Sequence, residues 1–567
     1  MKTYIVALNK DVDYDQFWAE IEDPTTGLEY IPDRPVAIVN NRDAFQRICE
    51  YALTDAEAEK LKQDPRVAGV DIPVEDRNDV IIKSWSVETQ NFTKPSGTQS
   101  AAFSGGTNVN WGLIRNSNPT NVYGIGNTTS LNYNYSADGT GVDIVISDSG
   151  IQADHPEFQY VGNSTSRVQQ INWSTYVPAL STMGNAYQDP NGHGTNVCGI
   201  AAGKTFGWAK NSQIYSIVAT GPGAASVLDL FTAVKLWHAS KGSNGRPTVL
   251  NMSWAVVYPY TTFGSTAVTA TNNLLGNISS VTYQGVTHVG NSAVTNYGLL
   301  LDATNPYCLN SILNGFPEYV GSYNTALEEV IDGGVVVCQA AGNNSYKIDI
   351  PTGTDYNNYV TAYSANVPYH RGASPISSNS IVVGSIDVNS YSSTQDQKVY
   401  FSCTGPQVDV YAAGTNIMSA GTSNISAASY NESNVYFLNN SYRQLNDTGT
   451  SRASLQIAGM AALYLQAHPP ANNLSSINCS QVKSWITSTA TSTMYSPGNA
   501  TTYTNFTSTL GGNATVAYQA IQGITQIKNN SNIWAPVANV YVKTGASTWA
   551  NVQHIWTKTA DGWAQTY

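Results

Sequence analysis

Charged side chains are scarce in this sequence. They make up 12% of its 567 residues, about half the share in an average soluble domain, so solubility must depend on Asn, Ser, Thr and Tyr. The formal net charge is −12, and the absence of a basic patch gives no electrostatic reason to expect nucleic-acid binding. No stretch approaches the roughly 18 continuous apolar residues of a membrane span, so no membrane partner is expected.

Cysteine spacing also lacks any recognisable pattern. The six cysteines form no CxxC pair and no metal-site motif, so we expect buried thiols and no metal site. The apolar run at residues 1–9 lacks the small-residue cleavage site of a signal peptide, and we interpret it as a strand. The subcellular location is left open.

The chain divides into segments of different composition. Residues 1–77 are acidic and predict a small α+β domain in the order strand, helix, strand, strand, helix, strand. In this domain Thr54 and Glu57 have the spacing of a capping box at a helix start. Residues 78–108 contain the runs Lys-Pro-Ser-Gly at 94–97 and Ser-Gly-Gly at 104–106, whose composition predicts a flexible, protease-accessible linker. Residues 526–567 predict a small aromatic β-rich tail, in which the pattern of residues 540–544 recurs at 555–559.

The segment between, residues 109–525, alternates short apolar runs with helical patterns. This predicts an α/β domain with a parallel sheet covered by helices on both faces, because such strands are buried on both sides. Helices are expected at 226–239 and 323–331. The candidate strands are residues 142–147, 214–218, 248–253, 335–340, 381–386 and 408–411.

Three residues in this domain are candidates for catalysis. Asp148 follows a predicted strand, His193 lies between two glycines, and Ser451 begins a long apolar helix whose N-terminus favours a developing anion. Each has an ordinary structural explanation when taken alone: a turn former, an exposed histidine and an N-cap serine. The order Asp, His, Ser is nevertheless the order of one known catalytic triad.

The sequence around these residues resembles the signature blocks of the subtilases, most closely those of the proteinase K branch. The matching blocks are residues 145–158, 192–195 and 449–453. The resemblance implies a subtilisin-like parallel sheet and a serine endopeptidase that cleaves protein or peptide substrates through Asp148, His193 and Ser451. The acidic first domain resembles the inhibitor-like propeptide of the family, which implies autocatalytic removal and intramolecular inhibition by the chain's own propeptide.

Other blocks carry further expectations from the resemblance. Residues 336–343 resemble the segment that supplies the oxyanion-hole amide, which would be Asn343. The residues expected to bind substrate are Gly221, Pro222, Gly223, Ser253, Trp254, Ala255, Ala341 and Gly342. Arg452 and Leu455 depart from the usual Met and Pro, Trp254 replaces a smaller residue, and an insertion is expected at about 256–318.

The resemblance implies no required cofactor. Residues 202–209 lack the longer loop that holds tight calcium in many bacterial members, so no such site is expected and a weak structural calcium ion is left open.

Two other functions compete with the protease. An inactive subtilase scaffold would serve as a virion structural or adhesive protein, because the tail resembles short Lys-Gly-Trp modules of tailed-bacteriophage proteins and would attach the chain to a virion. The three expected triad residues and the expected oxyanion residue Asn343 are all present, which favours the active enzyme. A lipase or esterase is disfavoured, because those enzymes place serine in a Gly-x-Ser-x-Gly elbow that Ser451 lacks.

Overall fold

The computed structural model describes most of the chain. The described residues are 1–22, 34, 36–40, 45–73, 76, 81–84, 110–123, 133, 135, 137–258, 278–289, 316–362, 365–423, 433–469, 474–495, 511–518 and six short strands between 526 and 565. Within these ranges, no helix is both long and apolar enough to cross a bilayer.

Residues 1–73 form a small unit with its own hydrophobic core. Its elements follow the predicted order: β1 (Lys2–Leu8), α1 (Tyr14–Glu22), β2 (Ala37–Asn40), β3 (Ile48–Leu53), α2 (Asp55–Leu61) and β4 (Val67–Asp71). The four strands form one sheet in the order β2-β3-β1-β4. The predicted capping box is confirmed, because Thr54 Oγ1 accepts from the Glu57 amide and the Glu57 carboxylate accepts from the Thr54 amide.

The remaining elements follow in chain order. Up to the middle of the chain they are β5 (Ile81–Ser84), α3 (Trp111–Asn116), β6 (Asp143–Asp148), α4 (His193–Ala202), β7 (Gln213–Val218), α5 (Val227–Ser240), β8 (Thr248–Met252), β9 (Trp254–Tyr258), β10 (Ile278–Tyr283), β11 (Val286–Val289) and β12 (Phe316–Pro317). After these come α6 (Gly321–Asp332), β13 (Val335–Ala340), β14 (Tyr359–Ala362), β15 (Ala365–Pro368), β16 (Ile381–Ile386), β17 (Val410–Ala413), β18 (Ile417–Gly421), β19 (Ser433–Val435), β20 (Arg443–Asp447), α7 (Thr450–Ala467) and α8 (Cys479–Thr489).

A six-stranded parallel sheet forms the centre of the molecule. Its order is β17-β16-β13-β8-β6-β7, and every neighbouring pair is parallel. Helix α7 packs across β8, β13, β16 and β17 and against α4, while α6 packs on β13 and α5. The predicted α/β sheet is therefore confirmed. The strand predicted at 408–411 begins two residues later, and α4 begins at His193 itself rather than after it.

The N-terminal unit contacts helix α6 through carboxylates. Glu329 of α6 accepts the backbone amides of Gln46 at 3.2 Å and Arg47 at 2.9 Å. A carboxylate of the N-terminal unit also accepts from α6: Asp71 accepts the amide of Ser322, which lies in the first turn of α6, at 2.9 Å. A nearby carboxylate stabilises the unpaired amides at the start of a helix. Hydrogen bonds from backbone amides to carboxylates therefore join the N-terminal unit to α6.

Strand β5 lies in the segment predicted as a linker. It pairs antiparallel with β9, with Ser84 opposite Trp254 and Lys83 opposite Ala255. On its other edge β9 pairs with β12. The N-terminal unit is thus followed by a strand that is hydrogen-bonded to β9 of the larger α/β domain.

A second, antiparallel sheet has the order β11-β10-β14-β15. Strands β10 and β11 come from the insertion expected at about 256–318, of which residues 259–277 and 290–315 lie outside the described part. Strands β14 and β15 come from residues 359–368, where the sequence analysis expected no accessory strands. Backbone hydrogen bonds between β10 and β14 join the two segments.

The described residues of the tail form three antiparallel strand pairs, one more than the two copies recognised in the sequence. They are β21 (Gln526–Lys528) with β22 (Trp534–Pro536), β23 (Tyr541–Lys543) with β24 (Trp549–Asn551), and β25 (Trp556–Thr559) with β26 (Gly562–Gln565). Each strand pair places a lysine directly opposite a tryptophan: Lys528 with Trp534, Lys543 with Trp549, and Lys558 with Trp563. The shared register shows that the repeat is a structural one.

The cysteine prediction holds where the structure can test it. Cys49, Cys198, Cys338, Cys403 and Cys479 are buried free thiols. Burial raises the pKa of Cys49, Cys403 and Cys479 to about 11, so these thiols stay protonated near neutral pH. Cys308 lies outside the described residues.

Candidate active site

Asp148 and His193 are joined by a direct hydrogen bond. Asp148 is the last residue of β6 and His193 the first of α4, and Asp148 Oδ1 lies 2.8 Å from His193 Nδ1. Both side chains are almost fully buried. Since an ionised carboxylate only accepts hydrogen bonds, Nδ1 must donate, which leaves the lone pair of the neutral ring on Nε2. His193 Nε2 has no hydrogen-bond partner among the described residues and can act as a base.

Glycine is required where these two segments meet. A Cβ on Gly194 would lie 2.0 Å from the Gly150 carbonyl oxygen and 3.3 Å from Asp148 Cβ. Gly150 itself has φ of +101°, and a Cβ on this residue would lie 2.1 Å from the Gln188 carbonyl oxygen. Any larger residue would push the Asp148 loop away from α4. The sequence expectation that glycines beside His193 allow a close approach is therefore confirmed.

Asp189 holds the same two segments together, and the sequence analysis did not identify it. Its carboxylate accepts the Ser149 hydroxyl at 2.9 Å and the Gly192 amide at 2.7 Å. It also accepts the amide and the hydroxyl of Thr195 at 2.7 and 2.6 Å. Burial raises the pKa of the Asp189 carboxyl above its usual range, while these donors oppose the rise. Asp189 thus ties the residue after Asp148 to the residues on both sides of His193.

Ser451 is the second residue of α7 and is fully buried. Its Oγ lies 3.5 Å from the Ser253 carbonyl oxygen, immediately before β9. A helix N-terminus carries partial positive charge from its unpaired amides, which stabilises negative charge developing on a nearby oxygen. The position suits a nucleophile at the end of the substrate-binding edge.

Asn343 has its side-chain amide fixed in one orientation. Its Oδ1 accepts both the amide and the hydroxyl of Thr450 at 2.9 Å, which assigns the oxygen of the group. The Asn343 Nδ2 is buried and has no acceptor among the described residues. Because Thr450 directly precedes Ser451, the Asn343 N–H donor is held near the candidate nucleophile, where an oxyanion hole would require it. Thr450 is a positioning residue that the sequence analysis did not name.

Replacing Asn343 by alanine is expected to lower kcat about 100- to 1,000-fold, the usual effect of losing one oxyanion donor. KM should change little, because the donor is aimed at charge that develops in the transition state. The measurement is steady-state hydrolysis of a peptide. Asn121→Ala is a matched control, since this buried asparagine donates to Ser390 Oγ at 2.7 Å and accepts the Tyr123 amide at 3.2 Å, and neither partner belongs to a segment of the candidate site. A kcat within about threefold of the wild type would remove Asn343 from this role.

The residues expected to bind substrate fall in three segments. Gly221, Pro222 and Gly223 are exposed and follow β7, whose last residue pairs with Asp148. Ala341 and Gly342 lie between β13 and Asn343, buried and hydrogen-bonded to Val383 and Thr450. All five leave the carboxyl edge of the parallel sheet, where ligand sites in such sheets collect.

The third segment is Ser253, Trp254 and Ala255. Backbone groups of Trp254 and Ala255 pair with β5, so they lie on the edge expected to bind a peptide. The Trp254 side chain is only 2% exposed, and its Nε1 donates to Ser147 Oγ at 3.0 Å, so the indole is turned towards β6. The large residue at this position therefore supports the strand that carries Asp148.

Arg452 is a buried cation next to the nucleophile. Its guanidinium forms an ion pair with Asp447 and donates through Nε to Asn196 Oδ1 at 3.1 Å. Asn196 lies one turn after His193 on α4, and Asp447 ends β20. The arginine that replaces the usual methionine is thus paired with a buried carboxylate and a buried amide.

Protein groups bond to residues 202–209, where the sequence analysis expected no tight calcium site. The Glu157 carboxylate accepts the amides of Thr205 and Phe206 at 3.0 and 3.2 Å, and the Tyr436 hydroxyl at 2.6 Å. Lys210 Nζ donates to the Thr205 carbonyl at 3.1 Å. Within the described ranges, no three His, Cys, Asp or Glu side chains converge on a point. That no cofactor is required stays a prediction.

Comparisons with known proteins identify the family of this chain. The Subtilase family matches residues 139–516. The curated relatives include the subtilisin-like serine protease Pen ch 18 of Penicillium rubens, 25% identical over 397 residues that cover 68% of this chain and 56% of that protein. The subtilase-type proteinase psp3 of Schizosaccharomyces pombe is 33% identical over 146 residues, 25% of this chain and 29% of that protein. The chain spans about half the length of the first curated relatives it matches.

Two solved structures are also similar. A cold-adapted subtilisin-like serine proteinase has 21% identity and a TM-score of 0.40, covering 73% of this chain and 98% of that one. Fervidolysin of Fervidobacterium pennivorans, a keratinolytic enzyme related to subtilisin, has 16% identity and a TM-score of 0.49, covering 93% and 62%. The family match itself extends over more than half of the sequence and includes Asp148, His193, Asn343 and Ser451. The chain belongs to the Subtilase family.

Proposed function

We propose that this chain is a serine endopeptidase with Asp148, His193 and Ser451 as its catalytic triad. The observation that carries the proposal is the convergence of four segments at one sheet edge. The Asp148–His193 hydrogen bond joins the end of β6 to the start of α4, and the Asn343–Thr450 hydrogen bonds join the segment after β13 to the start of α7. The hydrogen bond from Arg452 to Asn196 links the starts of the two helices, so a carboxylate, an imidazole, an amide donor and a hydroxyl lie in neighbouring segments. These are the groups that acyl transfer requires.

In the proposed reaction Ser451 Oγ attacks the carbonyl carbon of a peptide bond while its proton passes to His193 Nε2. Asp148 keeps the imidazole oriented and stabilises its charged form. The oxyanion is bound by Asn343 Nδ2 and the Ser451 amide. The C–N bond then breaks, His193 protonates the leaving amine, and an ester joins the acyl group to Ser451. Water hydrolyses this ester by the same steps, with His193 as base and then acid.

We also propose that the N-terminal unit inhibits the enzyme until it is cut off. Three observations support this role. Strand β5 occupies the edge of β9, and its last residue, Ser84, is paired with Trp254, next to the Ser253 carbonyl that lies at Ser451. The carboxylates of Glu329 and Asp71 hold the unit against α6. Self-cleavage is expected on the C-terminal side of Ser84, in the segment predicted as a linker.

A covalent probe tests the proposed function directly. Diisopropyl fluorophosphate is expected to phosphorylate Ser451 Oγ with loss of fluoride, while the proton passes to His193. Peptide mapping by mass spectrometry should find the adduct on Ser451 and none on Ser454, a buried serine one turn further along α7. His193→Ala should abolish the labelling.

An unlabelled folded chain, or labelling of Ser451 and Ser454 alike, would contradict the proposed function. In that case the inactive scaffold with a virion role becomes the better explanation. Virion attachment through the tail is a separate proposal, because an active protease can also be carried in a virion.

A further inference from the structure

One fully buried cation lies directly beside the proposed nucleophile. Arg452 follows Ser451 in the first turn of α7, and its side chain is 0% exposed. Successive residues of an α-helix project about 100° apart, so the guanidinium points in a different direction from the Ser451 hydroxyl. Arg452 is therefore placed to act on the reaction through the groups that it contacts.

Two of these groups come from distant parts of the chain. The Arg452 guanidinium forms an ion pair with Asp447, the last residue of β20, and its Nε donates to Asn196 Oδ1 at 3.1 Å. Asp447 is 4% exposed and Asn196 is 0% exposed. Because a guanidinium presents its donors in a rigid planar fork, it can hold both partners at once. Arg452 thus joins the start of α7 to β20 and to α4.

The Asn196 side chain is held in one orientation by further hydrogen bonds. Its Nδ2 donates to the carbonyl oxygen of Leu445 on β20 at 3.1 Å and to that of Ala420 on β18 at 3.3 Å. These bonds assign the nitrogen of the group and leave Oδ1 to accept from Arg452. Helix α4 is thus fastened to the sheet of β18 and β20, and β20 is the last strand before α7.

Arg452 lies close enough to His193 for its charge to affect the imidazole. Asn196 comes three residues after His193 on α4, and residues three apart on a helix are neighbours with about 5 to 6 Å between their Cβ atoms. The guanidinium that bonds to Asn196 is therefore within roughly 10 Å of the imidazole. At this separation, and at an effective dielectric constant of about 20, an uncompensated unit charge moves a protonation equilibrium by about one pH unit.

The charge of Arg452 is balanced by Asp447. The charged side chains bonded to this end of α4 are Asp148, Asp189 and Arg452, and Asp447 is bonded in turn to Arg452. The charged groups at or just after the opposite end of α4 are Glu157, Arg167 and Lys210. Arg452 is thus the cation of the first group, and the Asp447 carboxylate compensates it.

We infer that Arg452 is a positioning residue of the proposed reaction: it fastens the helix of His193 to the helix of Ser451, and its ion pair with Asp447 keeps its charge from disfavouring the imidazolium. This inference rests on the proposed function and deepens it. The two roles can be separated by substitution. Asp447→Asn removes the compensating charge and keeps the shape of the site, whereas Arg452→Lys keeps the charge and loses the planar fork.

The charge is tested by the pH profile of kcat/KM on a chromogenic peptide and of the rate at which diisopropyl fluorophosphate labels Ser451. Both rates should fall on acidification, because a protonated His193 cannot act as a base. In Asp447→Asn the remaining cation disfavours the imidazolium, so the fall should move about one pH unit lower. In Arg452→Met the remaining carboxylate favours the imidazolium, so the fall should move higher. The double variant should return it to the wild-type position, and a general loss of stability would not produce shifts of opposite sign.

The fastening of the two helices is tested at the pH of the maximal rate. Arg452→Met and Arg452→Lys should each lower kcat about 10- to 100-fold, because a displacement of about 1 Å between reacting groups has an effect of this size. KM should change little, since Arg452 is turned away from the hydroxyl that meets the substrate. In Arg452→Lys the fall on acidification should stay where it is in the wild type, because the positive charge is retained.

The ion pair of Arg115 with Asp396 is the matched control. These side chains are 0% and 3% exposed, and Arg115 also donates to Thr493 Oγ1 at 2.7 Å, so the pair lies outside the segments of the candidate site. Asp396→Asn leaves a buried cation uncompensated in the same way and should lower the melting temperature. It should not move the fall on acidification.

The outcomes separate this inference from the proposed function. If Ser451 is labelled but Asp447→Asn does not move the fall on acidification, or moves it no further than Asp396→Asn does, the role of the ion pair is overturned and the protease stands. An unlabelled, folded wild-type chain would overturn both. If Asp447→Asn does not fold, as judged by its melting temperature, the two Arg452 variants decide: a kcat within about threefold of the wild type in both would overturn the inference.

Discussion

Replacing Ser451 by alanine is expected to lower kcat on a peptide substrate about a millionfold, because no nucleophile remains to form the acyl-enzyme. The same change should stop self-processing. Intact mass spectrometry over time should then show the variant at 60.8 kDa, while the wild-type chain loses its N-terminal segment. The residual rate should come from the oxyanion donors and substrate binding alone.

Two comparisons make the Ser451 result decisive. Ser216→Ala removes another fully buried hydroxyl, on β7, and should leave both activity and processing unchanged. If Ser451→Ala is trimmed at the same rate as the wild type, a contaminating protease is responsible and self-cleavage is refuted. If it hydrolyses the peptide within tenfold of the wild type, Ser451 is not the nucleophile.

Changing Asp148 to asparagine should lower kcat about 10,000-fold. An amide of the same size would keep the contact with His193 but donate its own hydrogen to Nδ1. The ring would then carry its proton on Nε2, which could no longer accept the proton of Ser451. Hydrolysis rates and the melting temperature should be measured together, since the geometry is expected to survive while the rate falls.

Asp143→Asn is the control for this loss. Asp143 begins the strand that Asp148 ends, and it is buried between Lys241 and Arg246, each at 2.6 Å. Removing its charge leaves two cations unbalanced and should lower the melting temperature. Its kcat should nevertheless stay close to the wild-type value. Equal losses of kcat in both variants would mean that Asp148 supports the sheet rather than His193.

The sequence predicted the central sheet well because buried parallel strands are almost continuously apolar. The strand expected at 335–340 has the same bounds in the structure, and the capping box at Thr54 is present. The small differences lie at element ends, where hydrogen bonding rather than side-chain pattern decides the last residue.

The catalytic positions could not be assembled from pattern alone. Asp148, His193 and Ser451 each had an ordinary explanation, and only the resemblance to the subtilases joined them. Asp189 and Thr450 were missed because their roles depend on hydrogen bonds to distant segments: Thr450 and Asn343 are 107 positions apart.

Strand β5 shows a different limit of sequence analysis. Its segment was assigned to a flexible linker from the composition of its surroundings. In the structure it is a strand, because the free edge of β9 offers backbone donors and acceptors that an extended segment can satisfy whatever its side chains. An edge strand of this kind is recognised from its partner rather than from its own residues.

The spacing of the catalytic groups along the chain also bears on biosynthesis. Asp148 and His193 are only 45 positions apart, whereas Ser253 and Ser451, which meet in the site, are separated by 198. At about 5 to 20 residues per second, a ribosome needs roughly 10 to 40 s to cover that distance. During this interval the nascent chain already carries its N-terminal unit and the proposed Asp148–His193 pair, but not the proposed nucleophile. The proposed proteolytic activity therefore cannot arise before translation of most of the chain is complete.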